Sequence, residues 1–546
     1  TGAVAGSMQF SGNLTTVNGN FDLIASGTGT VREIRLATTQ NPNITIAGNL
    51  NIEGGILNFA SGASNTVINL GGNFSISGGT LTESSTGSGK INFNKSGVQT
   101  FTKTGGTISN TVNFTVLSGS ILDMGGNVLD DASGSFNLNS GATLKTTHAD
   151  GIHATGVTGC IQVGTPVYAT GATYIYYRNG AQNTGTGLPQ TSFTGLTVGS
   201  TDNATNLTIN NATSTAIIGG TLTLISNSTN NSTIASGTIQ FGLASGTLKY
   251  QGASSQTTTN AEFPSSNGPY SLTMDNANGV TLHSSRTLDG VLTLTSGKLT
   301  TGSNTLTLGT STSSLGFLFP VTPSSASYIV GNFERWFAAS TVTDVYFPVG
   351  TASRYLPAII SYTVAPTTGG KLKVSGHIDD PLADNTSNLD DGGYTIDRYS
   401  NSAWWQFTAT TLAGGTYSLN LQGEGIAGAD AVNYTKLRLL KRATGSQTWA
   451  LSGTHVDATG SNTSPLIKRT GLTGFSEFGI GGNSADGNVL SDKPLPVIIS
   501  SLSSSVINRN VKLNWTTSTE TNNSGFDVER AEFRSQNLEF SKIGFI

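Results

Sequence analysis

Apolar and polar residues alternate in short runs along the first 315 residues, as in Leu50-Asn51-Ile52 and Phe74-Ser75-Ile76. A period of two puts successive side chains on opposite faces, which predicts strands with one buried face. Gly-Gly and Ser-Gly pairs punctuate the runs as turns. No stretch combines a helical period with residues that start and stop a helix.

The strands recur at a fixed interval. Gly48-Asn49-Leu50 returns as Gly72-Asn73-Phe74, and Gly54-Gly55-Ile56-Leu57 as Gly78-Gly79-Thr80-Leu81. Weaker echoes follow at Gly105-Gly106-Thr107-Ile108, Ser118-Gly119-Ser120-Ile121 and Ser140-Gly141-Ala142-Thr143-Leu144. A strand-and-turn unit of about 24 residues cannot bury its apolar face alone, whereas a stack of such units can. Propeller blades need about 40–45 residues, so the period points to a β-solenoid. About 13 coils at a spacing of about 4.8 Å would rise roughly 60 Å.

This pattern divides the chain. Solenoid repeats are expected over 1–147 and 188–315. Between them, 148–187 reads as an irregular Tyr-rich insert around Thr173-Tyr174-Ile175-Tyr176-Tyr177. Near Gly316 aromatic and charged residues increase and strand spacing becomes irregular, which predicts an antiparallel β-sandwich over 316–482. Residues 483–494 read as a linker. From Leu495 to Ile546 three further strands are expected, at Val497-Ile498-Ile499, Val511-Lys512-Leu513-Asn514-Trp515 and Phe526-Asp527-Val528-Glu529-Arg530. The fold class is therefore all-β.

Composition narrows the function. Charged residues are only 11% of the chain, the net charge is −4, and 70 of 546 residues are glycine. Ser, Thr, Asn and Gly stand where charges usually do. Twenty-seven basic residues spread this thinly make no footprint for nucleic acid. No apolar run is long enough for a transmembrane segment. The single cysteine, Cys160, lies in the apolar-flanked Gly159-Cys160-Ile161-Gln162-Val163 and reads as a small buried hydrophobe. Low charge without disulfides suits a β-protein of the cell exterior.

Candidate chemistry is sparse. His148, Asp150 and His153 share a loop but lack a third ligand in metal-binding spacing. Asp130-Asp131, the one adjacent acidic pair of the first half, reads as a solvated turn. Cleaving a polysaccharide needs clustered carboxylates, or a cation with a base, so an enzyme is not expected. Asp379, Asp380, Asp384, Asp390, Asp391 and Asp397 form the one acidic cluster. Oxygen-rich loops hold Ca²⁺, which makes the first five its candidate ligands, although their spacing departs from the twelve-residue calcium loop. No other cofactor is expected. Trp404, Trp405, Tyr174, Tyr176 and Tyr177 are candidates for stacking on glycans, although packing in a core or interface is the expected role of both groups. Consecutive strand residues face opposite sides, so at most one of the two tryptophans belongs to the core.

The C-terminal stretch carries a resemblance. Leu495-Pro496-Val497, Val511-Lys512-Leu513-Asn514-Trp515-Thr516-Thr517 and Glu520-Thr521-Asn522-Asn523-Ser524-Gly525-Phe526-Asp527-Val528-Glu529-Arg530 resemble a fibronectin type III-like module. That module occurs near the end of large adhesin-like surface proteins exported by type IX secretion. Upstream, Phe347-Pro348-Val349-Gly350, Tyr355-Leu356-Pro357, Trp449 and Phe475-Ser476-Glu477-Phe478-Gly479 resemble the sandwich that precedes it. Thr184-Gly185-Thr186-Gly187-Leu188-Pro189 and the run from Leu292 to Leu308 resemble the repeats of such proteins. Such a module needs about 90–100 residues and seven strands. Its remaining strands are expected either beyond the given sequence or from a neighbouring subunit.

The resemblance implies a secreted, cell-surface protein without enzymatic activity. The expected role is structural, as a subunit of an extracellular fibre, a surface layer or an adhesive scaffold, with self-association or other surface proteins as partners. Two alternatives stand beside it. One is a monomeric adhesin that binds glycans or surfaces, and the other a polysaccharide-active β-helix enzyme.

Overall fold

The computed structural model describes residues 6–24, 32–242, 244–379, 388–423, 434–486, 498–508, 510–519, 525–531 and 540–546. The protein is all-β, with 58% of residues in strands and no α-helix among the described residues. A β-solenoid of about 14 turns forms its first part. Two compact units are present. One runs to Thr310 and takes in Gly316–Ser327, and the other comprises Ser311–Leu315 and the chain from Tyr328.

Three strands make each early turn of the solenoid. Arg32–Ala37, Asn43–Ile46 and Leu50–Ile52 are followed by Ile56–Ala60, Asn65–Leu70 and Phe74–Ile76. Every strand pairs in parallel with its counterpart on the next turn. Leu57 aligns with Leu81, Ile68 with Ile91 and Leu50 with Phe74. Apolar residues therefore stack on apolar residues inside, and polar on polar outside. Phe74 and Phe101 stack at 5.1 Å in this core, with Phe114 edge-on at 6.1 and 6.4 Å. The first face ends at Thr107–Asn110, whereas another ladder continues from Gly97–Lys103 to Phe317–Phe319.

Outside the core, side chains bond from turn to turn. The Asn20 carboxamide oxygen accepts the Asn49 amide at 2.9 Å, that of Asn49 accepts the Asn73 amide at 2.8 Å, and that of Asn73 accepts the Thr100 amide at 2.9 Å. A second ladder joins Asn43, Asn69 and Asn92. Each corner amide thus finds an acceptor without water or charge. The corners leave no room for a larger residue: a Cβ on Gly72 would lie 2.3 Å from the Gly48 carbonyl oxygen.

Two buried glutamines brace other corners. Gln99 donates from Nε2 to the carbonyls of Leu70 (2.8 Å) and Gly72 (2.5 Å), and accepts the Lys95 amide (3.0 Å). Gln182 does the same with Thr146 (2.9 Å), His148 (3.0 Å) and the Arg178 amide (3.0 Å). In both, the amide lies four residues before the glutamine and the carbonyls belong to the preceding turn.

The stretch 148–187 is not an irregular insert throughout. Its strands Ile161–Tyr168, Thr173–Tyr176 and Gly180–Asn183 join the stack in parallel. Leu144 aligns with Tyr174, and Tyr174 with Leu196. The step from Leu144 to Tyr174 is 30 residues, against 22 from Tyr174 to Leu196. The added residues include the loop before Cys160, and the tyrosines take inward positions that Leu and Phe hold elsewhere. Their hydroxyls end on backbone carbonyls, Tyr174 on Ala169 (2.7 Å) and Tyr176 on Thr184 (2.9 Å). Cys160 is wholly buried, and burial pushes its thiol up to about 12.

The second unit contains two antiparallel sheets. One runs in the order Val342–Phe347, Ala358–Val364, Thr416–Gln422, Pro465–Leu472, Thr454–Gly460. In the other, the strand ending at Phe337 is followed by Gly370–His377, Arg398–Thr410, Glu477–Gly482 and Arg438–Arg442. Rings touch between the sheets, as in Phe333–Phe347 at 5.9 Å and Phe337–Tyr362 at 5.9 Å. The expected linker begins with anchored residues, since Asn483 donates to the Thr395 carbonyl (2.7 Å) and the Ser484 amide to Asp397 (2.8 Å). Its remainder, 487–494, lies outside the described residues. Beyond it are two hairpins, Ile498–Ile507 with Asn510–Thr519 and Asp527–Ala531 with Phe540–Phe545.

Candidate functional site

One sequence candidate, Trp404, lies in a row of side chains on one sheet of the second unit. His377 and Trp404 are cross-strand neighbours, as are Trp404 and Gly479. The His377 and Trp404 rings stack 4.0 Å apart at 14°. Arg442 lies 5.9 Å over the Trp404 ring and 4.4 Å over Trp449. Trp449 in turn covers Gly479, where a Cβ would meet its ring at 2.6 Å. The result is a row of rings and a guanidinium across the sheet, favoured by cation–π attraction.

Its polar ends are held. Arg442 Nε donates to Glu477 at 2.7 Å, and the Gly445 amide to the other Glu477 oxygen at 3.2 Å. Trp404 Nε1 donates to Asp379 at 3.1 Å. Burial depresses the His377 pKa, and the charges of Asp379 and Glu477 oppose that only in part. Ser375, His377 and Asp379 follow one another at alternate positions, with Ser375 Oγ 3.0 Å from His377 Nε2 and Asp379 3.9 Å from Nδ1. Nucleophilic catalysis needs an open serine and donors for an oxyanion. Ser375 is buried and Asp379 serves Trp404, so this line of residues is built for packing.

The other candidates are dispersed. Trp405, Tyr174 and Tyr176 are core residues whose ring faces no glycan can reach. Trp405 Nε1 donates to the Leu356 carbonyl at 2.9 Å. Tyr177 donates its hydroxyl to Asp123 at 2.5 Å, and Lys145 sits 4.8 Å over its ring while pairing with Asp123 at 2.9 Å. Trp404, half-buried, has His377 against its ring, with Arg442 lying over it.

The acidic cluster is likewise engaged. Asp391 receives two hydrogen bonds from Arg469, at 2.9 and 3.0 Å, and pairs with Arg438 at 3.1 Å. Burial works against its charge, but the two guanidiniums outweigh it and hold the carboxyl below its ordinary pKa. Two fixed cations beside it correct its reading as a calcium ligand. Asp390 closes a turn by accepting the Gly393 amide at 2.9 Å. Asp380 and Asp384 lie outside the described residues. Among the described residues no group of three His, Cys, Asp or Glu side chains is placed to hold a metal.

In the first half, Asp131 is not in a solvated turn. It lies in the strand Leu129–Leu138, is 2% exposed, and accepts the amides of Ser133 (3.1 Å), Gly134 (3.2 Å) and Val112 (3.3 Å). Burial raises its pKa despite those amides. Asp130 pairs with Lys103 at 3.2 Å. His148 and His153 each accept a backbone amide two residues on, from Asp150 and Thr155.

Sequence reasoning missed the partners Arg438, Arg442, Arg469 and Glu477. The run Arg438-Leu439-Leu440-Lys441-Arg442 has no alternation to mark its faces, and its acidic partners lie 35 and more residues away. No family model, no curated protein and no solved structure matches this chain.

Proposed function

We propose that this chain is a structural protein of the cell exterior, a subunit of a fibre, a surface layer or an adhesive scaffold, without enzymatic activity. One observation carries the reading: the solenoid satisfies its outer polar groups by side-chain ladders that run from turn to turn. Such a stack is stiff, nearly uncharged and independent of disulfides. Few charges mean little repulsion between copies, so units can pack closely. The C-terminal resemblance to type IX-exported surface proteins supports secretion, a sandwich in the second unit and a fibronectin-like module after it.

Electron microscopy of the purified chain before and after dilution tests this. Filaments or sheets with a regular repeat that persist on dilution are the expected result. Isolated particles at every concentration would remove the polymer and leave a monomeric surface protein.

A further inference from the structure

The ladders do not account for the segment 258–270, which leaves the regular stack. A dense polar network holds it. The Thr259 amide and the Tyr250 hydroxyl both donate to Glu262 Oε1, at 2.5 and 2.8 Å, and the Thr259 hydroxyl donates to Oε2. Arg286 donates from Nε to the Phe263 carbonyl (2.7 Å) and from Nη2 to Asn260 (2.5 Å) and to His283 Nε2 (2.8 Å). Glu262, Tyr250 and Arg286 are buried. Burying such groups is tolerable only when they are bonded, and a fully bonded network is rigid. The network therefore makes the segment a fixed wall.

Between this wall and the neighbouring turns lies an open cleft of about 390 Å³. Small-molecule sites occupy roughly 300–1,000 Å³. Phe241, Pro264 and Tyr270 give it apolar surface, and Ser265, Asn267 and Asp289 give it hydroxyl, amide and carboxylate groups. Asp289 is oriented by the Thr310 hydroxyl at 2.7 Å. Asn267 takes φ +52°, a left-handed turn conformation that asparagine adopts readily. Arg286 also lines the cleft, and its guanidinium hydrogen bonds go to protein atoms.

This chemistry selects its ligand. An anion would face the Asp289 carboxylate. An apolar molecule would cover the exposed Asn267 amide without bonding it, which costs affinity. A sugar ring offers a C–H face for an aromatic ring and hydroxyls for planar side chains. We propose that this cleft binds a neutral saccharide of one to three units, with Tyr270 as the stacking surface and Asn267 and Asp289 as hydroxyl partners. The proposal deepens the adhesive side of the function above and does not depend on assembly.

The test uses the full chain, dispersed, with neutral mono- to trisaccharides of glucose, galactose, mannose and N-acetylglucosamine, and with glucuronic acid as the acidic comparison. Binding is read by saturation-transfer NMR and calorimetry. At least one saccharide binds, and Tyr270→Ala weakens it about tenfold. Asn267→Gly keeps the left-handed backbone, removes the amide and weakens binding at least about threefold. Asp289→Asn provides the same readout if Tyr270→Ala disturbs the fold by circular dichroism. No binding at about 10 mM of any member would overturn the proposal. So would affinity unchanged in Asn267→Gly and Asp289→Asn, or a preference for acidic over neutral sugars. Filaments without saccharide binding would defeat this cleft alone, and saccharide binding by isolated particles would defeat the polymer alone.

Discussion

At the scale of single residues, buried polar groups are matched to particular backbone atoms. Gln99 and Gln182 show why polar residues belong inside a solenoid: each bonds two carbonyls and one amide that its corner leaves over. The histidines carry a pH prediction. His283, His377 and His455 all have depressed pKa values, from burial first, with Arg286 adding for His283 and Arg438 for His455. The unfolded chain, with histidines near pKa about 6.5, then binds more protons than the folded one below that pH. Their contribution is fully present above that value and is lost as pH falls through the depressed pKa values. Glu83 and Asp131, raised by burial, act in the opposite sense just above the ordinary carboxylate pKa. Urea midpoints should therefore decline from pH 7.5 to 5, and His283→Gln should flatten the slope for the solenoid. A flat profile in the parent chain would contradict the burial of these imidazoles.

At the scale of elements, register is set by corners as much as by the core. The repeat Gly48-Asn49-Leu50 to Gly72-Asn73-Phe74 was legible because Leu50 and Phe74 are paired residues in the sheet. The Asn49 side chain accepts the Asn73 amide, so Asn49→Ala leaves a corner donor unmet and should cost about 1 kcal/mol. Chemical denaturation measures this, with Asn49→Asp, which keeps an acceptor, losing less. Equal losses in both variants would mean that the ladder adds nothing. The Tyr-rich stretch was misread for a physical reason. Its turn is longer, which breaks the repeat along the sequence, yet its strands stay in register and each buried hydroxyl reaches a carbonyl. Trp404 and Trp405 were legible as a pair with one core member, because strand geometry alone separates their faces. Which surface Trp404 would meet was not legible, since His377 and Arg442 come from other strands.

At the scale of the whole molecule, the solenoid unit has contacts chiefly between successive turns, so its stability is a chain of neighbour terms. Leu222 pairs with Leu196 before it and Leu248 after it and is wholly buried. A carboxylate there, in Leu222→Asp, should cost several kcal/mol, on the order of an unpaired buried charge. Hydrogen exchange should show lost protection in Phe193–Val198 and Thr247–Gly252, with the antiparallel sheets of the second unit unaffected. Loss spread evenly over both units would contradict the neighbour-by-neighbour account.

The chain alone determined its all-β class and its stacked parallel turns. A period of two within strands and of about 24 residues between them leaves few ways to bury the apolar face. Low charge followed from the same pattern, because Asn, Ser and Thr can satisfy one another across turns. Tertiary structure alone decided where the chemistry lies. The row of His377, Trp404, Arg442 and Trp449 and the network of Tyr250, Glu262, His283 and Arg286 join residues from separate strands and loops. Their meeting depends on crossovers and turn lengths, which no local period encodes. For the same reason the acidic cluster looked like a cation site in sequence, while in space Asp391 is held by Arg438 and Arg469.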